Sequence, residues 1–279
     1  MVFQPVVPLT GYGGWKFLQD TYSTQLQTYS DAPQIQNDRE YLLEKLSQPM
    51  AVEDFLDDRR LMRITMTAYD LVGEEWKRGF VDKVLEEVND PESTFLARLN
   101  NPEYTAFAEG LRPVNGNINL SEEALTQIAD DFETISFRVA VGDVDDTMRL
   151  SLNYQSKVVD LVGVGNSDET ILFRMLGSVP VRSVLETSLG LPTEFSQLDL
   201  DKQADILKEQ LQSKFGITDL NDLTSLDNID NVLKRFHAIN SINQGPSISS
   251  PGATALAILN PSFGLGSTAS QNLFLAGLG

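Results

Sequence analysis

The chain of 279 residues is 41% hydrophobic and 22% charged, a composition typical of folded globular proteins, which excludes a wholly disordered chain. Its 40 acidic and 21 basic residues give a formal net charge of -19, which disfavours binding to nucleic acid or to an anionic membrane surface. The absence of cysteine excludes disulfides, thiolate metal sites and cysteine nucleophiles, and no apolar run reaches the length of a membrane span.

The N-terminal stretch MVFQPVVPLTGYGGW has no basic region ahead of an apolar run, so we expect no cleavable signal peptide. From Trp15 onward, apolar residues recur at spacings of three and four, which predicts an amphipathic helix. A second helix is expected over REYLLEKL, with Asp38 as its cap. We expect a core helix over Phe55 to Leu71, and a further helix over EEWKRGFVDKVLEEV with Trp76 on its apolar face.

Two short helices, STFLARL and PEYTAFAEGL, precede the segment LRPVNGNINL at residues 111–120, whose Pro, Gly and Asn content is typical of a linker. Beyond it, ALTQIADDFETISFRVAV and DDTMRLSLNYQSKVVDLV carry apolar residues at helical spacing. The alternating run Ile135 to Val141 also fits a strand, but a helix is favoured because no partner strands are evident. The sequence therefore predicts an all-α, multi-helix protein with an N-terminal helical half at residues 1–112 and a C-terminal helical half at residues 113–237.

The two predicted halves resemble each other at a constant offset over their first elements, and the offset increases in the later elements, which requires insertions in the second copy. Three apolar pairs match, Leu61 with Val181, Ile64 with Val184 and Leu71 with Leu191. Both copies then continue into a charged amphipathic helix, VDKVLEEV and QADILKEQL. Because the shared positions are apolar, the repeat indicates core packing rather than a catalytic element used twice. The alternative explanation is that the two halves follow the same helix-turn-helix pattern without having arisen by duplication.

Residues 238–279 contain no acidic or basic side chain and are rich in Gly, Ser, Pro and Ala, which predicts an irregular C-terminal tail. Two apolar islands, Ala255 to Leu259 and Leu273 to Leu275, lie within it. They either dock on the protein's own core or serve as a partner-binding or self-assembly element. In the second case the candidate partner-binding residues are Trp15, Phe17 and Tyr22 of the first helix and Leu256, Ile258, Leu259, Phe263, Leu273, Phe274 and Leu275 of the tail.

No motif in the sequence indicates catalysis. The single histidine, His237, is expected at an exposed helix end, and no G-x-S-x-G surrounds any serine. The acidic runs that begin at Asp143 and Asp219 lack the glycine and glutamate of a helix-loop-helix calcium site, so helix capping is their expected role. Gly163-Val-Gly165 lacks the third glycine of a dinucleotide-binding loop. We therefore predict no catalytic residue, no metal site and no cofactor.

Four runs carry a family resemblance, GGWKFLQDTYSTQLQTYSDAPQIQNDREYLLEKL, FLDDRRLMRITMTAYDL, VGDVDDTMRLSLNYQSKVVDLVG and LGSVPVRSVLETSLGLP. In this order they resemble DUF1217, an alphaproteobacterial family of unknown function whose genes often lie beside flagellar genes. The resemblance covers the chain from Gly11 to Phe236 and implies an all-helical fold and a link to flagellar assembly or motility, with no reaction or cofactor. Ala68-Tyr69-Asp70-Leu71 departs from the Ala-Phe-Gly-Leu turn expected in that family, which leaves the geometry of this turn open.

The expected function is that of a non-enzymatic interaction or assembly protein, associated with the bacterial flagellum or motility, whose partner is a protein such as a flagellar component. Its expected location is the cytoplasm, or the flagellum without a cleavable signal peptide. One alternative is a cytoplasmic export chaperone or adaptor, whose acidic surface holds a basic client. The other is a carboxylate-dependent enzyme with its site between the two halves.

Overall fold

Helices build most of the computed structural model, which describes residues 3–99 and 101–243. Those residues form thirteen α-helices, two short 3-10 helices and one two-stranded sheet, which confirms the all-α prediction. The α-helices are α1 (Gly11–Ser30), α2 (Pro33–Leu46), α3 (Val52–Asp57), α4 (Arg59–Ala68), α5 (Arg78–Glu87), α6 (Phe95–Leu99), α7 (Pro102–Leu111), α8 (Glu122–Val144), α9 (Asp146–Val162), α10 (Asp168–Gly177), α11 (Val179–Leu189), α12 (Leu200–Phe215) and α13 (Leu226–Asn243). The strands are β1 (Met50–Ala51) and β2 (Asn117–Ile118), and the 3-10 helices span Thr193–Gln197 and Leu220–Thr224.

The long helix α8 joins the two predicted halves, since it contacts α1, α2 and α4 of the first and α9 of the second. Phe137 and Val141 lie one turn apart on its buried face, so the run Ile135 to Val141 is helical, as favoured from the sequence. In the second half, α11 packs against α9 and α13, and α13 in turn packs against α1. One hydrophobic core therefore extends across the boundary between residues 1–112 and 113–237.

The segment at residues 111–120 is anchored to the first half rather than free. Asn115 and Gly116 have positive φ values of 52° and 77°, as the two central residues of a type I′ hairpin turn require. Val114 and Asn117 exchange both backbone hydrogen bonds across this turn, at 2.8 and 3.1 Å. β2 then pairs antiparallel with β1, and Ile118 is buried. The Pro, Gly and Asn content that suggested a linker therefore builds a hairpin turn.

The helix expected over Phe55 to Leu71 is two helices, α3 and α4, which meet at Asp58. Asp58 Oδ1 accepts the backbone N–H of Leu61 at 2.9 Å and so caps α4. The apolar spacing conceals this break because both helices bury their apolar residues in the same core. The next helix, α5, begins only at Arg78, so the predicted place of Trp76 on a buried helix face is wrong. Trp76 lies in the preceding turn and is 69% exposed.

The helix pair α3–α4 has a counterpart in α10–α11, at the constant offset seen in the sequence. Asp58 and Ser178 occupy the two breaks with a φ of -85° in each, and each donates its backbone N–H to the helix before it, at 3.1 and 3.0 Å. The matched apolar positions are fully buried in both copies, namely Leu61, Ile64, Val181 and Val184. The resemblance between the two stretches therefore reflects a repeated structural unit whose shared residues serve packing.

The two copies also end in the same way. Asp70 and Gly190 follow α4 and α11 in the left-handed conformation, with φ values of 61° and 70°. In each copy the next residue, Leu71 or Leu191, donates its backbone N–H to a carbonyl of the last helical turn at 2.9 Å. The turn is therefore preserved even though Asp70 stands where glycine is expected.

The last described helix extends further than composition suggested. α13 continues to Asn243, so residues 238–243, assigned to the tail, are helical. The tail residues proposed as partner-binding, from Leu256 to Leu275, lie outside the described residues.

Candidate functional site

A cleft of about 730 Å³ lies between residues of the two halves and is called the inter-half cleft below. The first half contributes the turn after α4 and the start of α7, and the second half contributes α9 and the start of α11. Asp70, Glu103, Lys157 and the half-exposed Arg149 are among its lining residues. The cleft is the place where the carboxylate-dependent enzyme of the sequence-based alternative requires a site.

Lys157 on α9 holds the two halves together across this cleft. Its Nζ lies 2.6 Å from Asp70 Oδ2 and 2.5 Å from Glu103 Oε1. Burial disfavours the charged ammonium, but the two carboxylates outweigh that effect and raise the pKa of Lys157 above its usual range. Lys157 is therefore a permanently charged bridge and is not suited to act as a base near neutral pH.

A second charge network occupies the first-half wall. Tyr104 Oη donates a hydrogen bond of 2.7 Å to Glu74 Oε2, and Lys77 forms an ion pair with the same carboxylate. Burial favours the neutral form of Glu74, but the donors from Lys77 and Tyr104 prevail and lower its pKa. The carboxylate is thus held ionised, which is the opposite of what a general acid requires.

The mouth of the inter-half cleft carries apolar side chains. Val72 and Val179 line it and are 44% and 77% exposed. Trp76 lies in the turn between Glu74 and Lys77, which both line the cleft, and the Nζ of Lys77 is 5.4 Å from the Trp76 ring centroid. An exposed tryptophan in a turn that borders a cleft, together with two exposed valines in the cleft wall, is typical of a protein-binding surface.

The three partner-binding residues predicted on the first helix take different places. Trp15 is fully buried, because the helix turns its face with Trp15 and Leu18 into the core, so the prediction of a surface contact through Trp15 is wrong. Phe17 and Tyr22 are half-buried, and the Tyr22 ring packs edge-on against Phe137 at 5.4 Å between centroids. None of the three lines the inter-half cleft.

The expectation of an exposed His237 is also wrong. His237 is 1% exposed, because α13 continues past it and its ring stacks on Trp15 at 6.2 Å between centroids. The Oγ of Ser151 donates to the Thr147 carbonyl at 2.8 Å, so the 2.9 Å contact between Ser151 Oγ and His237 Nε2 uses the imidazole as donor. Burial lowers the pKa of His237 to about 4, opposed by the charge of Asp145. The pair is a neutral core contact, since the histidine does not accept the serine proton.

The two acidic runs considered as calcium sites are helix caps, as predicted. Asp145 Oδ1 accepts the backbone N–H of Thr147 at 2.9 Å at the start of α9. Asp219 Oδ1 accepts the backbone N–H of Asn221 at 2.9 Å before a 3-10 helix. Over residues 3–99 and 101–243, no group of three or more His, Cys, Asp or Glu side chains is arranged to hold a metal ion. None of the helices described is long and apolar enough to cross a bilayer.

The sequence did not lead us to predict the charge network of the cleft, although one residue in it indicates such an interaction. Gly190 occupies the left-handed position of the second copy, and the first copy places Asp70 there, at a cost in backbone strain. A non-glycine residue in the left-handed conformation indicates that its side chain makes an interaction that offsets the backbone strain. The ion pair between Asp70 and Lys157 is that interaction.

Replacing Asp70 with Ala should lower the free energy of unfolding by about 2 kcal/mol, since it removes an ion pair and leaves a left-handed residue without a polar side chain. The matched variant Gly190→Ala imposes the backbone cost alone, because nothing lies within 4 Å of the added Cβ. That variant should lose about 1 kcal/mol. Urea unfolding measures both. Because wild-type Asp70 already carries the backbone cost, a negligible loss in Asp70→Ala would show that the Asp70 carboxylate contributes nothing.

Comparisons with known proteins agree with the fold. The family model described as "Protein of unknown function (DUF1217)" matches residues 68–229. The X-ray crystal structure of protein AGR_C_984 from Agrobacterium tumefaciens is similar with a TM-score of 0.68 and 20% sequence identity, covering 87% of this chain and 100% of that one. This similarity shows the fold alone. No curated protein matches the sequence.

Proposed function

Since this chain belongs to the DUF1217 family, whose function is unknown, we propose from its own structure that it is a non-enzymatic interaction or assembly protein associated with the bacterial flagellum. The observation that carries the proposal is exposed apolar surface at the inter-half cleft: Val72 and Val179 line the cleft, and Trp76 lies in the turn between two lining residues. Tryptophan is enriched among the residues that dominate binding energy in protein interfaces. A partner that covers these three side chains removes apolar surface from water.

The charges of the cleft support binding rather than catalysis. Lys157 is paired with Asp70 and Glu103, and Lys77 with Glu74, so these charges already have partners within the chain. The lowered pKa of Glu74 disfavours a role in proton donation. Burial does raise the pKa of Asp131, but Asp131 lies on α8 and does not line the cleft. A partner can therefore cover the mouth without leaving these ions unpaired.

The flagellar part of the proposal rests on the family resemblance, whose gene neighbourhood links it to motility. The uncharged residues 244–279 with their apolar islands are a second partner-binding element in the proposal. A protein with a net charge of -19 repels acidic partners at long range, whereas apolar contacts of this kind are indifferent to charge.

We expect the full-length protein to capture flagellar components from motile cells, read out by mass spectrometry. The double variant Trp76→Ser/Val179→Ser should reduce their capture about tenfold or more, because it removes the largest apolar contacts of the mouth. Val164→Ser/Leu226→Ser is the matched control: both residues are exposed valine or leucine side chains, and neither lies in the cleft wall or in the turn that carries Trp76. The control should capture the same components to within about twofold.

A version ending at Asn243 tests the tail separately. The end point matters because Phe236 and His237 are buried and α13 packs against α1, so an earlier truncation would damage the core. Washing at high salt distinguishes binding through apolar contacts from an export chaperone that holds a basic client. Salt weakens ionic contacts and leaves apolar contacts intact. Capture of no flagellar component by any version would refute the flagellar association.

A further inference from the structure

A separate pocket of about 410 Å³ lies where α1, α8 and α9 meet, and it is called the Arg138 pocket below. It is lined by Tyr22 and Ser23 from α1, Arg138 from α8, and Gln155 and Ser156 from α9, among others. None of its lining residues is acidic, although the chain carries 40 acidic residues. An acid-free pocket around an arginine is therefore a distinct local environment on this protein.

The guanidinium of Arg138 forms no ion pair within the described part of the chain, although its charge favours the ionised form of the Asp131 carboxyl on α8. No carboxylate oxygen there lies within 4.0 Å of it, and its Nε is buried without a hydrogen-bond partner. Arg138 also lines a neighbouring cavity that contains Asp70, Asp143 and Asp146. Asp70 is paired with Lys157 at 2.6 Å and Asp146 with Arg149 at 2.7 Å. A buried donor left unpaired destabilises the protein, and a ligand that supplies the acceptor would remove that cost.

The rest of the pocket wall complements an anion with a small organic body. Ser23, Ser156, Gln155 and the Tyr22 hydroxyl supply neutral hydrogen-bonding groups, and buried Leu152 supplies apolar surface. The Tyr22 ring is held by its edge-on contact with Phe137. Neutral donors around one cation match a ligand of single negative charge.

We propose that the Arg138 pocket binds a carboxylate group. The planar guanidinium matches a carboxylate with two parallel hydrogen bonds, and one arginine balances its single charge. A phosphate dianion would need a second cation and would meet stronger repulsion from the net charge of -19. The carboxylate belongs either to a partner polypeptide or to a free small acid. The pocket lies outside the inter-half cleft, so this binding does not depend on the proposed function.

The test is a titration of the ¹⁵N-labelled full-length protein, followed through the NMR signal of the Arg138 side-chain Nε–H. The probes are N-acetylglycine for a peptide-borne carboxylate, acetate for a free acid, N-acetylglycinamide as the uncharged control, and inorganic phosphate. We expect a saturable shift with acetylglycine, with a Kd on the order of 1 mM, and no shift with the amide. Tighter binding of acetylglycine than of acetate assigns the site to a polypeptide carboxylate, and equal binding assigns it to a free acid.

Two arginine variants, followed by the backbone signals of Ser23 and Ser156, locate the site. Arg138→Gln should weaken acetylglycine binding about tenfold or more. Arg138→Lys should weaken it less, because lysine keeps the positive charge but cannot donate the two parallel hydrogen bonds of a guanidinium. Arg98→Gln removes an exposed cation that lines neither the Arg138 pocket nor the adjoining cavity, and it should leave binding unchanged to within about twofold. The absence of any saturable shift up to about 100 mM, or an equal response to phosphate, would overturn the proposal.

Discussion

Replacing Trp15 with Ala should lower the free energy of unfolding by about 3–5 kcal/mol, the range expected when a large buried aromatic is truncated. Trp15 is fully buried in the core, and its ring stacks on His237 between α1 and α13. The indole cannot be replaced by neighbouring atoms without moving one of these helices. Denaturant unfolding followed by circular dichroism measures the loss.

The second tryptophan of the chain provides the matched control. Trp76 is 69% exposed, so Trp76→Ala should change stability by no more than about 0.5 kcal/mol. In our proposal the effect of Trp76→Ala is on partner capture instead. Similar losses of stability in the two variants would contradict both the burial of Trp15 and the surface role of Trp76.

Acidification should destabilise the protein through His237. The folded state holds its pKa at about 4, against an ordinary value of 6.5, so between these values the unfolded chain binds the proton and the native state does not. This contribution to stability is complete above the unfolded pKa and is lost as the pH falls towards the folded pKa. Between about pH 7.5 and pH 5, the expected loss from this residue is about 2 kcal/mol.

A non-titrating variant isolates the effect of the imidazole. His237→Gln retains a donor that reaches towards Ser151, so it should fold, with a pH dependence shallower by about 2 kcal/mol over the same interval. Urea unfolding at both pH values, for the wild-type chain and the variant, measures the difference. Parallel pH profiles for the two proteins would refute the depressed pKa of His237.

Local features of this fold were readable from the sequence because they depend on neighbouring residues. Asp145 and Asp219 cap the elements that follow them, as expected from their position before apolar-periodic segments. The apolar pairs that repeat at a constant offset also lie at matching buried positions. The spacing of three and four decides which side of a helix is apolar, and this information is local.

Features that depend on which helices pack against each other could not be predicted from the sequence. Trp15 and His237 belong to the first and last described helices, and neither sequence neighbourhood reveals that they stack. The break at Asp58 was hidden because the apolar spacing continues across it. The inter-half cleft draws its charges from Asp70, Glu103 and Lys157, and only the fold brings these together.

The contact between α1 and α13 has a consequence for the order in which the protein folds. Tyr12 Oη donates a hydrogen bond to Asp230 Oδ2 at 2.6 Å across a sequence separation of 218 residues, beside the stacked Trp15 and His237. During synthesis, α1 leaves the ribosome long before α13 exists, so its indole has no final partner for most of translation. Closure of so long a loop carries an entropic cost, so we expect the contact between α1 and α13 to be among the last to form, after α13 has packed on the neighbouring α11.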